Sequence, residues 1–200
     1  MFCYWQSITD GLALSLFNTK DVHSELYKQA GVLTGNVNGT YNIVCFLSAF
    51  FLVPIARKLG AGVTHFISLT LAGIAIFFFI SYSNDAILFS IPNIFSGGVI
   101  PVSQIYLNSL GLGIGWASML SMPYSMLSSA LPSNRIGIYM GIFNMFIVLP
   151  MLIQTLTMDF VMENFLGNNK IHELQLAGVF LILGGICTLF VKKHQPSETV

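Results

Sequence analysis

From residue 63 to residue 82 the chain runs almost without a polar break, closing on LTLAGIAIFFFISY. A helix needs about 20 mostly apolar residues, at about 1.5 Å rise each, to cross the hydrocarbon of a bilayer. Such a segment must be hidden from water, and the rest of the chain has little with which to hide it. Of the 200 residues, 54% are hydrophobic and 8% charged, and the mean hydropathy is +0.77. Soluble domains carry about 25% charged residues. Too little polar surface remains to coat a water-facing shell, so lipid is the expected solvent.

Similar apolar stretches recur at residues 1–17, 35–56, 104–128, 136–158 and 174–191. The expected fold is an all-α, polytopic membrane bundle of six spans over residues 1–192, followed by a cytoplasmic tail at 193–200. Residues 18–34 and 163–173 read as polar connections. Met1 leads straight into FCYWQ, with no basic region and no small-residue cleavage site, so the opening is not a secretory signal. It reads as a chain that starts partway through a membrane helix.

Six crossings place Arg57, Lys58, Arg135, Lys192 and Lys193 on one side, and Lys20, Lys28 and Lys170 on the other with Asp21, Glu25, Glu163 and Glu173. Lysine and arginine concentrate in cytoplasmic loops, which predicts a cytoplasmic carboxyl terminus. Residues 86–102, AILFSIPNIFSGGVIPV, are apolar but interrupted by Pro92, Gly97, Gly98 and Pro101. As a full span they would invert everything that follows. They are therefore expected to be a non-spanning insertion, re-entrant or interfacial, lying against the bundle.

Polar side chains inside a membrane are costly, about 3 kcal/mol for an aspartate at a helix centre, and so invite a functional reading. In the first span Tyr4, Trp5, Gln6 and Asp10 fall within two turns, with Gln6 and Asp10 on one face. Aromatic rings beside amide and carboxylate groups suit a sugar, whose C–H face stacks on a ring while its hydroxyls bridge to polar groups. Asp10 has a second reading, as a group solvated at the wet end of a short helix. Asn38, Tyr41 and Asn42 form a polar stripe on the next span, which helix-to-helix hydrogen bonding explains equally well. Asn38-Gly39-Thr40 also matches a glycosylation sequon, at a position expected inside the membrane.

In GLGIGWASMLSMPY, residues 111–124, Gly111, Gly113 and Gly115 allow close backbone approach, and Trp116, Ser118, Ser121 and Tyr124 bring aromatic and hydroxyl groups. Pro123 removes a backbone donor and predicts a kink. Such a helix suits a moving bundle and any tightly packed pair alike. Asn144 and Gln154, nearly three turns apart, lie on roughly the same side of the fifth span. His65 and His172 sit near helix ends and read as interfacial. Cys3, Cys45 and Cys187 are far apart in apolar surroundings and read as packing residues.

An intramembrane enzyme is not expected: the sequence holds no HExxH, no paired aspartates near a helix midpoint and no Ser/His arrangement at workable spacing. No cofactor or metal is implied. A formal net charge of zero without like-charge runs gives no reason to expect a nucleic acid.

GIGWASMLSMPYSMLSSALP followed by RIGIYMGIFNMFIVLPMLIQTL resembles the tenth and eleventh spans of major facilitator sugar transporters, specifically the glycoside–pentoside–hexuronide cation symporters and their sucrose and maltose relatives. FCYWQ resembles that family's seventh span, and NGTYNIVCFLSAFFLVPIARKLG its eighth with the basic loop after it. The similarity covers residues 1–85 and 104–192. It implies the carboxyl-terminal half of a twelve-helix transporter that rocks around a central site by alternating access. Carried over to this chain, the substrate contacts are Tyr4, Gln6, Tyr41, Asn42, Trp116, Tyr124 and Asn144, and Asp10 is a candidate for coupling. The implied partners are a sugar-like solute, a proton or sodium ion, the lipid bilayer and a separately encoded amino-terminal half. Two departures stand out: the amino-terminal half, where the family keeps its coupling carboxylate, is not in the sequence, and the insertion at 86–103 is foreign to the family. Together they suggest a truncated or split gene product. The alternatives are a non-transporting structural or regulatory subunit and a relative that carries lipids or muropeptides.

Overall fold

The computed structural model describes residues 1–82, 85–93, 97–132 and 135–191. The tail expected at 193–200, and Lys192 and Lys193 used to orient the chain, lie outside these described residues. Six helices carry the fold: α1 (Phe2–Phe17), α2 (Glu25–Leu59), α3 (Ala61–Phe77), α4 (Leu107–Ala130), α5 (Ile136–Asn164) and α6 (Lys170–Thr188). Short 3-10 turns at Phe79–Ser81 and Gln104–Tyr106 bracket the segment between α3 and α4.

Helix α2 starts well before the expected residue 35, inside what reads as a polar connection. Ser24 caps it by accepting from the Tyr27 N–H at 3.1 Å, and Glu25 sits in the first turn, where the helix dipole favours negative charge. Its 35 residues make a rod of about 50 Å, longer than a bilayer core of about 30 Å. Among the described residues, α2, α5 and α6 are long and apolar enough to cross a membrane, and α3 is a shorter apolar helix. Helix α4 has the length, but three glycines, six serines, Asn108 and Pro123 dilute its apolar character.

The described residues of the segment at 86–102 are not helical. They fold as an antiparallel hairpin, β1 (Ile87–Pro92) and β2 (Val99–Ser103), with Ile87 opposite Ser103 and a bulge between Ile87 and Phe89. Alternating β-branched and aromatic residues favour strands, and Gly97, at φ 71°, supplies the left-handed conformation the turn requires. Because its two roots are paired, the hairpin leaves and returns at the same end of the bundle. Helices α3 and α4 are thereby antiparallel neighbours.

Glycine decides how closely these helices meet. A Cβ on Gly111 would lie 2.6 Å from the Ala75 Cβ, and one on Gly115 would collide with Ala72, so this face of α4 lies directly on α3. A Cβ on Gly113 would lie 2.7 Å from the Tyr41 carbonyl oxygen, which brings α2 against the other face. Helices α3 and α6 cross at Gly73 and Gly178, and the Thr188 hydroxyl donates to the Gly62 carbonyl at 3.1 Å near their far ends. Helix α1 packs on the first halves of α2 and α6 through Tyr4, Ile8, Gly11 and Leu12, with Leu174 of α6 against Gly11. Helix α5 stands apart: along its whole length Met162 alone is buried.

Candidate solute-binding site

The first turns of α1 enter a notch between α2 and α4. Tyr4 is fully buried there; its hydroxyl donates to Asn38 Oδ1 at 3.2 Å and accepts from Asn108 Nδ2 at 3.4 Å. The next residue, Trp5, is 37% exposed, and its indole N–H donates to the Tyr41 hydroxyl at 3.0 Å. Its ring meets Trp116 edge to face, centroids 4.9 Å apart at 81°. Tyr4 and Tyr41 are also edge to face, at 6.4 Å. Local sequence explains the assembly. Asn38 and Tyr41 are three apart and so project from one side of α2, while the missing side chain at Gly113 seats Tyr41 on α4 one turn from Trp116. Four aromatic rings and two amides from three helices thus converge.

Gln6 and Asp10 diverge in partners despite their shared face. Gln6 Oε1 accepts from Gln154 Nε2 of α5 at 3.0 Å, and Gln154 Oε1 is buried without a partner. Tyr124 donates to Asn144 Oδ1 at 2.7 Å and stacks edge to face on Phe143. These two polar pairs tie α5 to the bundle, Asn144 to α4 and Gln154 to α1. Asp10 instead accepts from the Tyr27 hydroxyl at 2.5 Å, at the rim of a cavity of about 210 Å³ also lined by Lys20 and Lys170. Lys170 pairs not with Asp10 but with Glu173, at 2.9 Å, and Glu173 is fully buried.

Asn42 does not join the cluster. It is exposed, and its amide donates back to the Asn38 carbonyl at 2.8 Å. Adjacent helical residues point about 100° apart, so with Tyr41 turned inward Asn42 turns out. His65, in the first turns of α3, is buried between α3 and α4, its Nδ1 2.8 Å from the Ser118 hydroxyl. Asn108, absent from the residues that the sequence singles out, is fully buried at the head of α4, and its Oδ1 has no partner. The signal is an amide and a serine side by side at the opening of a glycine-rich helix; Ser109 donates to the Val37 carbonyl at 3.0 Å. Among the described residues, no group of three or more His, Cys, Asp or Glu side chains is placed to hold a metal.

No family model matches this sequence, and no curated protein or solved structure matches it.

Proposed function

We propose that this chain is half of a secondary transporter, moving a sugar or similar polar solute together with a cation by alternating access. One observation carries the reading: Trp5, Trp116, Tyr4 and Tyr41 converge with the amides of Asn38 and Asn108 in the notch between α1, α2 and α4. Rings that stack on the C–H face of a sugar and amides that exchange hydrogen bonds with its hydroxyls are what such a solute requires. Trp5 is the accessible edge of the cluster, and Asn108 Oδ1 is an acceptor without a donor.

Movement has a structural counterpart. Helix α5 carries Pro150 at mid-length and is tied to the bundle by the Tyr124–Asn144 and Gln6–Gln154 pairs. Neutral hydrogen bonds of this kind contribute about 0.5–1.5 kcal/mol net, so two of them can exchange for bonds to solute at small cost. Asp10, hydrogen-bonded to Tyr27 beside a polar cavity, is the carboxylate proposed to take part in coupling.

The test is uptake of labelled sugars by vesicles containing this chain together with a candidate amino-terminal half. Uptake that depends on both halves and falls in Trp5→Ala and Trp116→Ala supports the reading. Absence of uptake, with no solute shielding Trp5 or Trp116 from a quencher, removes it.

A second reading, a membrane subunit that transports nothing, draws on the outer face of α2. Gly31, Gly35 and Gly39 repeat at every fourth position there with nothing within 4 Å of an added Cβ, a spacing that lets another helix approach closely. Crosslinking from Gly35→Cys to an unrelated membrane protein, without solute protection of the tryptophans, would favour it.

A further inference from the structure

We infer that the β1–β2 hairpin is a lipid-anchoring element, lying in the headgroup boundary of the leaflet opposite the Arg57-Lys58 and Arg135 junctions. The hairpin stands off the bundle. Every residue of β1 and the first three of β2 are exposed, Phe89 at 57% and Val99 at 71%. A two-stranded hairpin in water is marginal at best, and this one bares six large apolar side chains: Ile87, Leu88, Phe89, Ile91, Val99 and Ile100. Water is therefore a poor solvent for it.

The hydrocarbon core is an equally poor one. An open sheet edge carries unpaired N–H and C=O groups, and nothing in the acyl region can satisfy them. The side chains need an apolar phase and the backbone edges need water or headgroups. Both are available together only at the boundary between them.

Register and sequence give the hairpin two unlike faces. Phe89 opposite Val102 and Ile91 opposite Ile100 make one face wholly aliphatic and aromatic. Ser90 opposite Pro101 and Pro92 opposite Val99 make the other smaller and less apolar. The first face is the one expected to sink toward the acyl chains. It continues an apolar surface that the neighbouring helices already expose, with Ile74 and Phe78 just before the hairpin and Leu107 and Leu110 just after it.

The prolines select lipid over a second copy of the chain. The Asn93 N–H points inward, to the Gly98 carbonyl at 2.8 Å. Inward and outward N–H groups alternate along a strand, so positions 92 and 90, and their partners 99 and 101, direct their N–H groups outward. Pro92 and Pro101 sit at outward positions on the two opposite edges, and each deletes a donor that another strand would need.

The experiment places a nitroxide on single cysteines at Phe89, Ile100 and Ser90, with Cys3, Cys45 and Cys187 replaced by alanine. The full chain is reconstituted in vesicles of phosphatidylethanolamine and phosphatidylglycerol. The ratio of oxygen to nickel-chelate accessibility should be several-fold higher at Phe89 and Ile100 than at Ser90. Equal, water-like ratios at all three positions overturn the proposal. So does spin–spin broadening between hairpins that disappears on dilution with unlabelled chain, because it would mean that a second copy covers them. Since each label replaces an exposed side chain, folding should survive, and recovery of monodisperse protein checks that it has.

Discussion

Gly73 of α3 and Gly178 of α6 meet backbone to backbone: a Cβ added to either would lie 2.6 Å from the carbonyl oxygen of the other. Neither backbone can yield as the tip of a flexible side chain would, so the crossing depends on two missing methyl groups. Gly73→Ala and Gly178→Ala should each destabilise the fold by about 1–3 kcal/mol, the usual cost of overpacking. Gly141→Ala is the control, because nothing lies within 4 Å of its added Cβ, and relief from glycine's chain entropy should leave it neutral or up to about 1 kcal/mol more stable. Thermal unfolding of the three variants in one detergent gives the comparison. Equal melting for Gly73→Ala and Gly141→Ala would show that α3 and α6 are not this close.

In the proposed solute site, Trp5 is held by two contacts of different kinds, the hydrogen bond to Tyr41 and the edge-to-face meeting with Trp116. Trp5→Phe keeps a ring and loses the N–H donor, which should weaken solute affinity by about 1 kcal/mol, a factor of about 5. Tyr41→Phe, which removes the acceptor, should cost a similar amount, and the double variant little more than either single one. Shielding of tryptophan emission from an aqueous quencher by saturating sugar reads the affinity. Additive losses in the double variant would mean that the two residues act separately.

How much of this arrangement is legible in the sequence depends on the range of the cause. Helix positions are set by local hydrophobic length, so the apolar run at 63–82 finds α3, and the run at 136–158 finds α5. The start of α2 is set by a cap, and the Ser24-Glu25 signal is present but lies within a polar stretch that reads as loop. Residues 86–102 stand out in the sequence as an apolar segment broken by Pro92, Gly97, Gly98 and Pro101, which favours a non-spanning insertion but does not announce strands; strand pairing depends on contacts that a local reading does not reach. Partners across helices are another matter. Nothing near Gln6 points to Gln154, 148 residues away, and nothing near Asn42 says that Tyr41 would take the inward position. The tight crossing at Gly73 and Gly178 is illegible for the same reason, since each glycine is unremarkable without the other.

His65 and Ser118 form a buried polar contact between two closely packed helices, 2.8 Å apart. Removing one partner leaves a polar group without its bond in a site that water does not reach, at a cost of about 1–3 kcal/mol. Ser118→Ala should therefore destabilise the fold measurably. The double variant Ser118→Ala with His65→Phe, which leaves neither polar group, should recover much of the loss. Failure of the double variant to recover stability relative to Ser118→Ala would mean that shape, not hydrogen bonding, sets the role of the pair.

Among the described residues, the ion pair of Lys170 and Glu173 is the more one-sided of the two charged contacts. Glu173 has 1% of its side chain exposed while Lys170 has 35%, and they meet at 2.9 Å on the first turn of α6. A buried carboxylate keeps its charge cheaply only while a partner is present, so deleting the lysine is the costly change. Loss of one partner from a fully buried pair costs about 3–5 kcal/mol; with the lysine a third exposed, solvent screening lowers the expectation for Lys170→Met to about 1–3 kcal/mol. The reverse variant, Glu173→Gln, leaves an ammonium that can turn to water and should cost less than Lys170→Met. Combining the two removes the stranded charge and should restore part of the stability lost in Lys170→Met alone. Chemical or thermal unfolding of the three variants in the same detergent decides it: a double variant less stable than Lys170→Met would mean that the carboxylate has another stabilising partner in the bundle, through the first turns of α1.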